Sequence, residues 1–577
     1  MNIIKALDEN KQFGEKGHSE FAWSNKFDEK IIQFYFQLVR TKDMSELNNH
    51  FKSLLLNCKT TLVPEKKLVI LFKITANCRD IKGKGERDLS YMMLYNWWLY
   101  EPKLAYYLFE TFLLCPEIDH PYGSWKDVKY MCNYIKKYTG NDNHEFIRYI
   151  VKLSNYYLKQ DYECLINWNK IDKISLKLAG KWLPREKSKF GWLHYKLALD
   201  MFPHYLLYCK TSDSKRRAIL KCKINYTKML TVINEYLDTT QIKMCNKNWK
   251  YIDFNNVTSK TLHLQKLSFM NKVKKGGKLE ERYDLEDRKD CAENLKMYLQ
   301  DNKSQNKTIK GKRCNVYEFV KDALIYSKMD DNKEIVDIIN EQWKDNSKQN
   351  GLLGNIIPMA DTSGSMEMDN CLPLYNSIGL SIRVSEKTHP AFRNRVLTFS
   401  TNPSWCQLSD EMTFCEKAVA VRHIDWGGTT DIYKAMKLIC DSLIINNIHP
   451  DEVENLVLAI FSDMQIDCCL TSDQQNTLYD NIKLMFNNAG METSYQKPYN
   501  PPHILFWNLR QTNGFPTTVT QNNVTMLSGY NAMLLNAFCE KGMNALTDIT
   551  PIKMLDDLLS NKRYTHLEGK LQNILNN

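Results

Sequence analysis

Asn355-Ile356-Ile357-Pro358-Met359-Ala360-Asp361-Thr362-Ser363-Gly364-Ser365-Met366 is a short apolar run that stops abruptly at Asp-x-Ser-x-Ser. Brief, apolar and bounded by turn residues, the run predicts a buried strand. In the loop that follows, oxygens at alternate positions can converge on one point. A carboxylate and two hydroxyls are hard ligands, suited with waters to Mg²⁺ or Mn²⁺ and not to a soft metal. Gly364 lets the backbone bend between the serines. Taken alone, the string also fits a solvated turn. Two later stretches argue otherwise. Trp426-Gly427-Gly428-Thr429-Thr430-Asp431 is a glycine turn leading to hydroxyls and an acid before a helix. Leu456-Val457-Leu458-Ala459-Ile460-Phe461-Ser462-Asp463-Met464-Gln465 is a second apolar strand ending in Ser-Asp. Three such loops would meet at the carboxyl edge of a parallel sheet, where open α/β sheets bind ligands.

These residues resemble the metal-ion-dependent adhesion site of von Willebrand factor type A domains, written Asp-x-Ser-x-Ser, a distant Thr and a distant Asp. Asp361, Ser363 and Ser365 match the first part, Thr430 (or the adjacent Thr429) the second and Asp463 the third. The resemblance implies a divalent cation, Mg²⁺ or Mn²⁺, with one coordination position left for a partner's acidic oxygen.

The 577 residues lead us to expect two or three domains, and 43% apolar content is enough for real cores. No apolar run approaches the ~20 residues that span a bilayer, and the N-terminus lacks a signal-peptide layout. The 17 cysteines are scattered without a C-x-x-C pair, which speaks against zinc-ribbon and thioredoxin-like readings. A reduced, intracellular, cytoplasmic protein without membrane contact is expected, associated with the particle if the chain is viral. The net charge of +11 is uneven: residues 351–577 carry 16 basic and 23 acidic groups, residues 1–350 carry 62 and 44. A basic half attracts phosphate backbones, although a lysine-rich composition without a nucleic-acid role fits as well.

In chain order, residues 1–24 read as a loose arm. Helical periodicity then recurs from Glu29 through Trp343. Asn77-Cys78-Arg79-Asp80-Ile81-Lys82-Gly83-Lys84-Gly85-Glu86-Arg87-Asp88 breaks it; its glycines and bases fit either a phosphate cradle or a helix–helix turn. Leu178-Ala179-Gly180-Lys181-Trp182-Leu183-Pro184-Arg185 and Lys215-Arg216-Arg217 are further basic stretches. Lys82, Lys84, Arg87, Lys181, Arg185, Lys215, Arg216 and Arg217 are the candidate nucleic-acid contacts. Residues 271–313 are highly charged with little periodicity and predict an exposed insertion or a mobile loop. Lys344 to Gly351 is polar and predicts a linker. Beyond it strands alternate with helices, which implies a doubly wound parallel sheet.

The expected fold class is therefore α plus α/β. A basic, helical-repeat-like domain (HEAT- or TROVE-like) spans 1–345, and a Rossmann-like domain of von Willebrand A type spans 351–577. Together, Asp80–Asp88, Tyr122–Val128, Leu178–Arg185, Ser462–Asp467 and Phe506–Arg510 resemble an uncharacterised two-part family of plants, fungi and giant DNA viruses. That family is distantly similar to TROVE/Ro proteins, which pair a helical ring with a type A domain and bind RNA on the ring. The resemblance implies a non-enzymatic scaffold that binds RNA, a protein with an acidic group, or both. The alternative is a metal-dependent phosphohydrolase using Asp361, Asp431 and Asp463, a chemistry that usually needs a base or second metal nearby.

Overall fold

The computed structural model describes residues 11–60, 65–168, 174–399, 403–424, 432–454, 456–465, 478–541 and 549–576. The chain divides into two compact units. One comprises Met1–Ile74, Lys82–Gly85 and Phe254–Thr565; the other comprises Thr75–Ile81, Glu86–Asp253 and His566–Asn577.

The first unit holds two hairpins, β1 (Lys11–Phe13) with β2 (Ser19–Phe21) and β3 (Lys272–Lys275) with β4 (Lys278–Glu281), and a six-stranded sheet. The sheet strands are β5 (Ile356–Asp361), β6 (Arg395–Phe399), β7 (Ser404–Gln407), β8 (Val457–Ser462), β9 (His503–Asn508) and β10 (Val524–Ser528), in the order β10-β9-β8-β5-β6-β7. All pairings are parallel except β6 with the edge strand β7. Every residue of β5, β8, β9 and β10 is buried, as expected of parallel strands covered on both faces. The chain winds from β5 outward to β6 and β7, then returns to the other side of β5 for β8, β9 and β10. The winding thus reverses between β5 and β8, the switch point at which such sheets open a crevice. The helical half and the mostly parallel sheet agree with the expected fold class. β7 was not foreseen, since Ser404-Trp405-Cys406-Gln407 is too short to show a period.

The expected boundary at 345–351 is not where the chain divides. Helices Ser259–Phe269, Val316–Tyr326 and Lys333–Ser347 belong with the sheet. Val316–Tyr326 packs closely on the helix Met368–Lys387, whose Gly379 admits Val316: a Cβ there would lie 2.2 Å from Val316 Cγ1. Trp343 stacks on Phe414 with ring centroids 3.9 Å apart. The polar run 344–351 is no linker either. Asn346 and Asn350 are buried because their side-chain oxygens accept from the Arg383 guanidinium at 2.8 and 2.7 Å. Asparagines that serve a buried cation look, in sequence, like solvated ones.

Of the two readings of 271–313, the exposed insertion fits its first part, since β3 and β4 are mostly exposed, but the stretch is regular secondary structure and not a loop. Gly276 and Gly277, at φ 53° and 84°, make the two-residue turn between β3 and β4, a geometry that glycine adopts without strain. The helix Glu286–Ser304 follows and buries Cys291, Leu295 and Leu299. Of the expected arm, residues 11–21 form a hairpin and residues 1–10 lie outside the described residues. Phe21 and Phe515 exchange backbone hydrogen bonds at 2.9 Å each way. The helix Phe27–Gln37 then lies against β10 and buries Phe34, Tyr35 and Phe36.

The second unit is helical. Asp88–Tyr100 packs on Pro102–Leu113, Lys126–Thr139 on Glu145–Ile166, and Gly191–Met201 on both Glu145–Ile166 and Ser212–Tyr236. At its centre the Asp127 carboxylate accepts from Arg79 Nε at 2.8 Å and Nη2 at 2.7 Å, from the Ser124 amide at 2.7 Å and from the Tyr91 hydroxyl. Gly123 leaves room for this pair; a Cβ would sit 2.5 Å from Asp127 Oδ2.

Candidate metal centre

β5 and β8 are neighbours in register, with Ala360 opposite Phe461, so the loops leaving them meet at the switch point. Asp361 ends β5. Its Oδ1 accepts from the Ser363 amide at 2.9 Å and its Oδ2 from the Ser462 hydroxyl at 2.5 Å. The Ser363 and Ser365 hydroxyls lie 3.1 Å apart. Asp463, one residue beyond β8, accepts from the Gln465 amide at 3.2 Å and from Arg510 Nε at 3.0 Å. Asp361, Ser363 and Asp463 are fully buried and Ser365 half-buried. Burial, and behind it the negative charge of Asp463, push the Asp361 carboxyl up to about 7. Two buried carboxylates that repel each other are costly unless a proton or a cation is shared between them; Arg510 offsets the charge of Asp463, and Asp361 has no ion pair among the described residues.

Four of the five predicted ligands are thus gathered at one sheet edge: Asp361, Ser363, Ser365 and Asp463. Thr430, with Thr429 and Asp431, lies outside the described residues. The oxygen set fits a hard divalent cation. The buried Thr362 hydroxyl and Asn508 amide nitrogen, from the same edge, find no hydrogen-bond partner among the described residues. Ser462 and Arg510 were quoted as motif residues without a role. The signal for them was positional: Ser462 stands opposite Asn508 in the β8–β9 register, which brings Arg510 to Asp463. Arg510 also pairs with Glu15 at 2.7 Å, and Gln465 accepts from the Glu15 amide at 2.8 Å. The N-terminal hairpin loop therefore carries a carboxylate to the rim of this site.

The basic candidates separate. Lys84 is a correction: it is buried, donating to the Leu38 and Ser528 carbonyls and to the Ser528 hydroxyl, with its ammonium 4.1 Å from the Tyr35 ring centre. The Gly83 carbonyl accepts from Asn531. That turn is a packed connection and offers no cradle for phosphate. Lys82 is exposed on the same turn. In the helical unit, Arg87 lies over Tyr130 at 4.4 Å, and Lys126 and Lys181 over Trp182 at 4.2 and 5.6 Å. Lys129, which was not foreseen, lies within 6 Å of Tyr130, Trp182 and Phe190. Burial lowers the pKa of Lys129 and Lys181, and Arg87 adds to the effect at Lys129. Arg185 is half-buried, its guanidinium lowered by burial as well. Lys215, Arg216 and Arg217 are exposed on the first turns of Ser212–Tyr236.

Comparison with known proteins places this edge within a matched domain. Residues 355–566 match the family described as "Domain of unknown function (DUF7788)". An uncharacterized protein of Acanthamoeba polyphaga mimivirus is 26% identical over 559 residues, spanning 95% of this chain and 86% of that protein. The expected relatives in giant viruses thus exist, at nearly full length. The Ro (RSR) protein of Deinococcus radiodurans aligns with 89% of this chain and 99% of its own, at 11% identity and a TM-score of 0.44, a likeness too slight to carry an argument. Among the described residues no helix is long and apolar enough to cross a membrane.

Proposed function

We propose that the protein is a non-enzymatic binding scaffold, holding Mg²⁺ or Mn²⁺ at the β5–β8 edge in the manner of an adhesion site and binding RNA on its helical unit. The observation that carries the cation is that Asp361 and Asp463, both buried, stand at the ends of the paired strands β5 and β8, with the Ser363–Ser365 hydroxyl pair on the loop after β5. A cation there would be held by Asp361, Ser363, Ser365 and Asp463, with Thr430 the fifth candidate. Its remaining position would take an acidic group from a protein partner. The phosphohydrolase alternative needs a base. Among the described residues, the groups that hydrogen-bond Asp361 and Ser363 are Ser462, the Ser363 amide and Ser365, none of them a base.

Calorimetric titration of the full chain with Mn²⁺ tests the site. One equivalent should bind, and Asp361→Ala should abolish the heat. Equal uptake by the variant would refute the assignment.

RNA binding is supported by Arg87, Lys126, Lys129 and Lys181 set against the half-buried Tyr130 and Trp182, the mixture of cations and ring faces that suits unpaired bases. Fluorescence anisotropy with a single-stranded RNA should show affinity that falls steeply with salt. Trp182→Ala should weaken it by about 1–3 kcal/mol, the usual worth of one stacked base. Binding indifferent to ionic strength, or absent at low salt, would remove the RNA assignment and leave the cation site standing.

A further inference from the structure

Wholly within the helical unit, Cys115, Glu117 and His566 bring a thiol, a carboxylate and an imidazole within 4.8 Å of one another. Cys115 follows the helix Pro102–Leu113 and is buried. Pro116 fixes the backbone between Cys115 and Glu117, and the Cys115 carbonyl accepts from the Ile118 amide at 3.4 Å. The turn so formed sets both side chains toward His566. The Cys115 thiol donates to Glu117 Oε2 at 3.3 Å, and its sulfur lies 3.6 Å from His566 Nε2. His566 sits on the helix Lys562–Leu575, anchored by the buried Leu567 and Leu571. Its ring lies nearly parallel to that of Tyr122, at 16° and 6.2 Å. One turn on, Lys570 lies over Tyr107.

These separations have a chemical meaning. A tetrahedral Zn²⁺ with a thiolate at ~2.3 Å and nitrogen or oxygen at ~2.0–2.1 Å sets sulfur about 3.5 Å from each of the other two donors. The sulfur distances observed are 3.3 and 3.6 Å, close to that value, and the third separation is within 4.8 Å. Sulfur, nitrogen and one oxygen form a borderline-soft set that selects zinc over magnesium. Among the described residues no other thiol lies in such a group of three donors.

We infer that Cys115, Glu117 and His566 bind one Zn²⁺ ion, leaving a fourth position open on the exposed Glu117 side and pinning the C-terminal helix to the turn that follows Leu113. The ion is separate from the one at Asp361, and its ligand chemistry makes it separately visible.

Co²⁺ is the probe, titrated into the full-length protein. One equivalent should produce a thiolate-to-cobalt charge-transfer absorption that excess Zn²⁺ erases. Cys115→Ser should lose the band. Glu117→Gln, at an exposed position that keeps the fold, should weaken Co²⁺ binding ~10-fold or more, and His566→Gln should do likewise. Asp361→Ala should leave the band intact. An undiminished band in Cys115→Ser, unchanged affinity in Glu117→Gln, or no stoichiometric band in the wild type would overturn the inference.

Discussion

Asp127→Ala should lower the stability of the helical unit by about 3–5 kcal/mol, the usual result of stripping one partner from a buried ion pair. Arg79 and Asp127 are both buried, with side chains 6% and 0% exposed. Burial alone would make the Arg79 guanidinium easier to deprotonate, and Asp127 more than reverses that. Without the carboxylate, the buried cation keeps only the weaker attraction of Asp80, and the Tyr91 hydroxyl and Ser124 amide lose their acceptor. Asp127→Asn should recover part of the loss, since an amide oxygen still accepts but carries no charge. Urea unfolding, followed by hydrogen exchange in Asp88–Tyr100 and Lys126–Thr139, measures both. A loss below about 1 kcal/mol would place the pair with exposed salt bridges, which contribute little.

Arg383→Ala should cost a similar ~3–5 kcal/mol in the sheet-bearing unit, for a different reason. Arg383 is fully buried, with no carboxylate in direct contact among the described residues. Burial pulls its pKa down to about 10, with only Glu386 opposing. Neutral groups hold it: the Asn350 side chain at 2.7 Å, the Asn346 side chain at 2.8 Å and the face of Trp343 at 4.2 Å. Removal orphans two buried amide oxygens, at about 1–3 kcal/mol each, and opens a void. Arg383→Met fills the void and leaves the oxygens unpaired. A methionine variant as stable as wild type would show that the desolvation cost of the guanidinium equals what its hydrogen bonds return.

The strands around the candidate metal centre were legible because parallel strands buried on both faces leave unbroken apolar runs, and Asp361 and Asp463 stand where such runs end. What the sequence hid was ownership. The helix Phe27–Gln37 carries an apolar face that suits a helical array equally well; nothing local says that β10 covers it. Asn346 and Asn350 read as linker because their partner, Arg383, lies more than thirty residues on. Lys84 read as a phosphate ligand because a lysine between glycines usually faces water. Gly276-Gly277 was a readable hairpin turn, overlooked amid the charges around it. Cys115 and His566 stand 451 residues apart, and no spacing rule joins ligands so distant.

The discontinuity of the sheet-bearing unit also sets the order in which the protein can be built. Tyr35 and Ser528 are joined by a hydrogen bond across 493 positions. At ~5–20 residues per second, the ribosome needs roughly 25–100 s to deliver the second after the first. Meanwhile the helical segment 86–253 emerges whole and can fold, while Phe34 and Phe36 wait uncovered. A chaperone that shields the nascent N-terminus during that interval, or a delay in its docking, would govern the yield of native protein more than the strength of any finished contact.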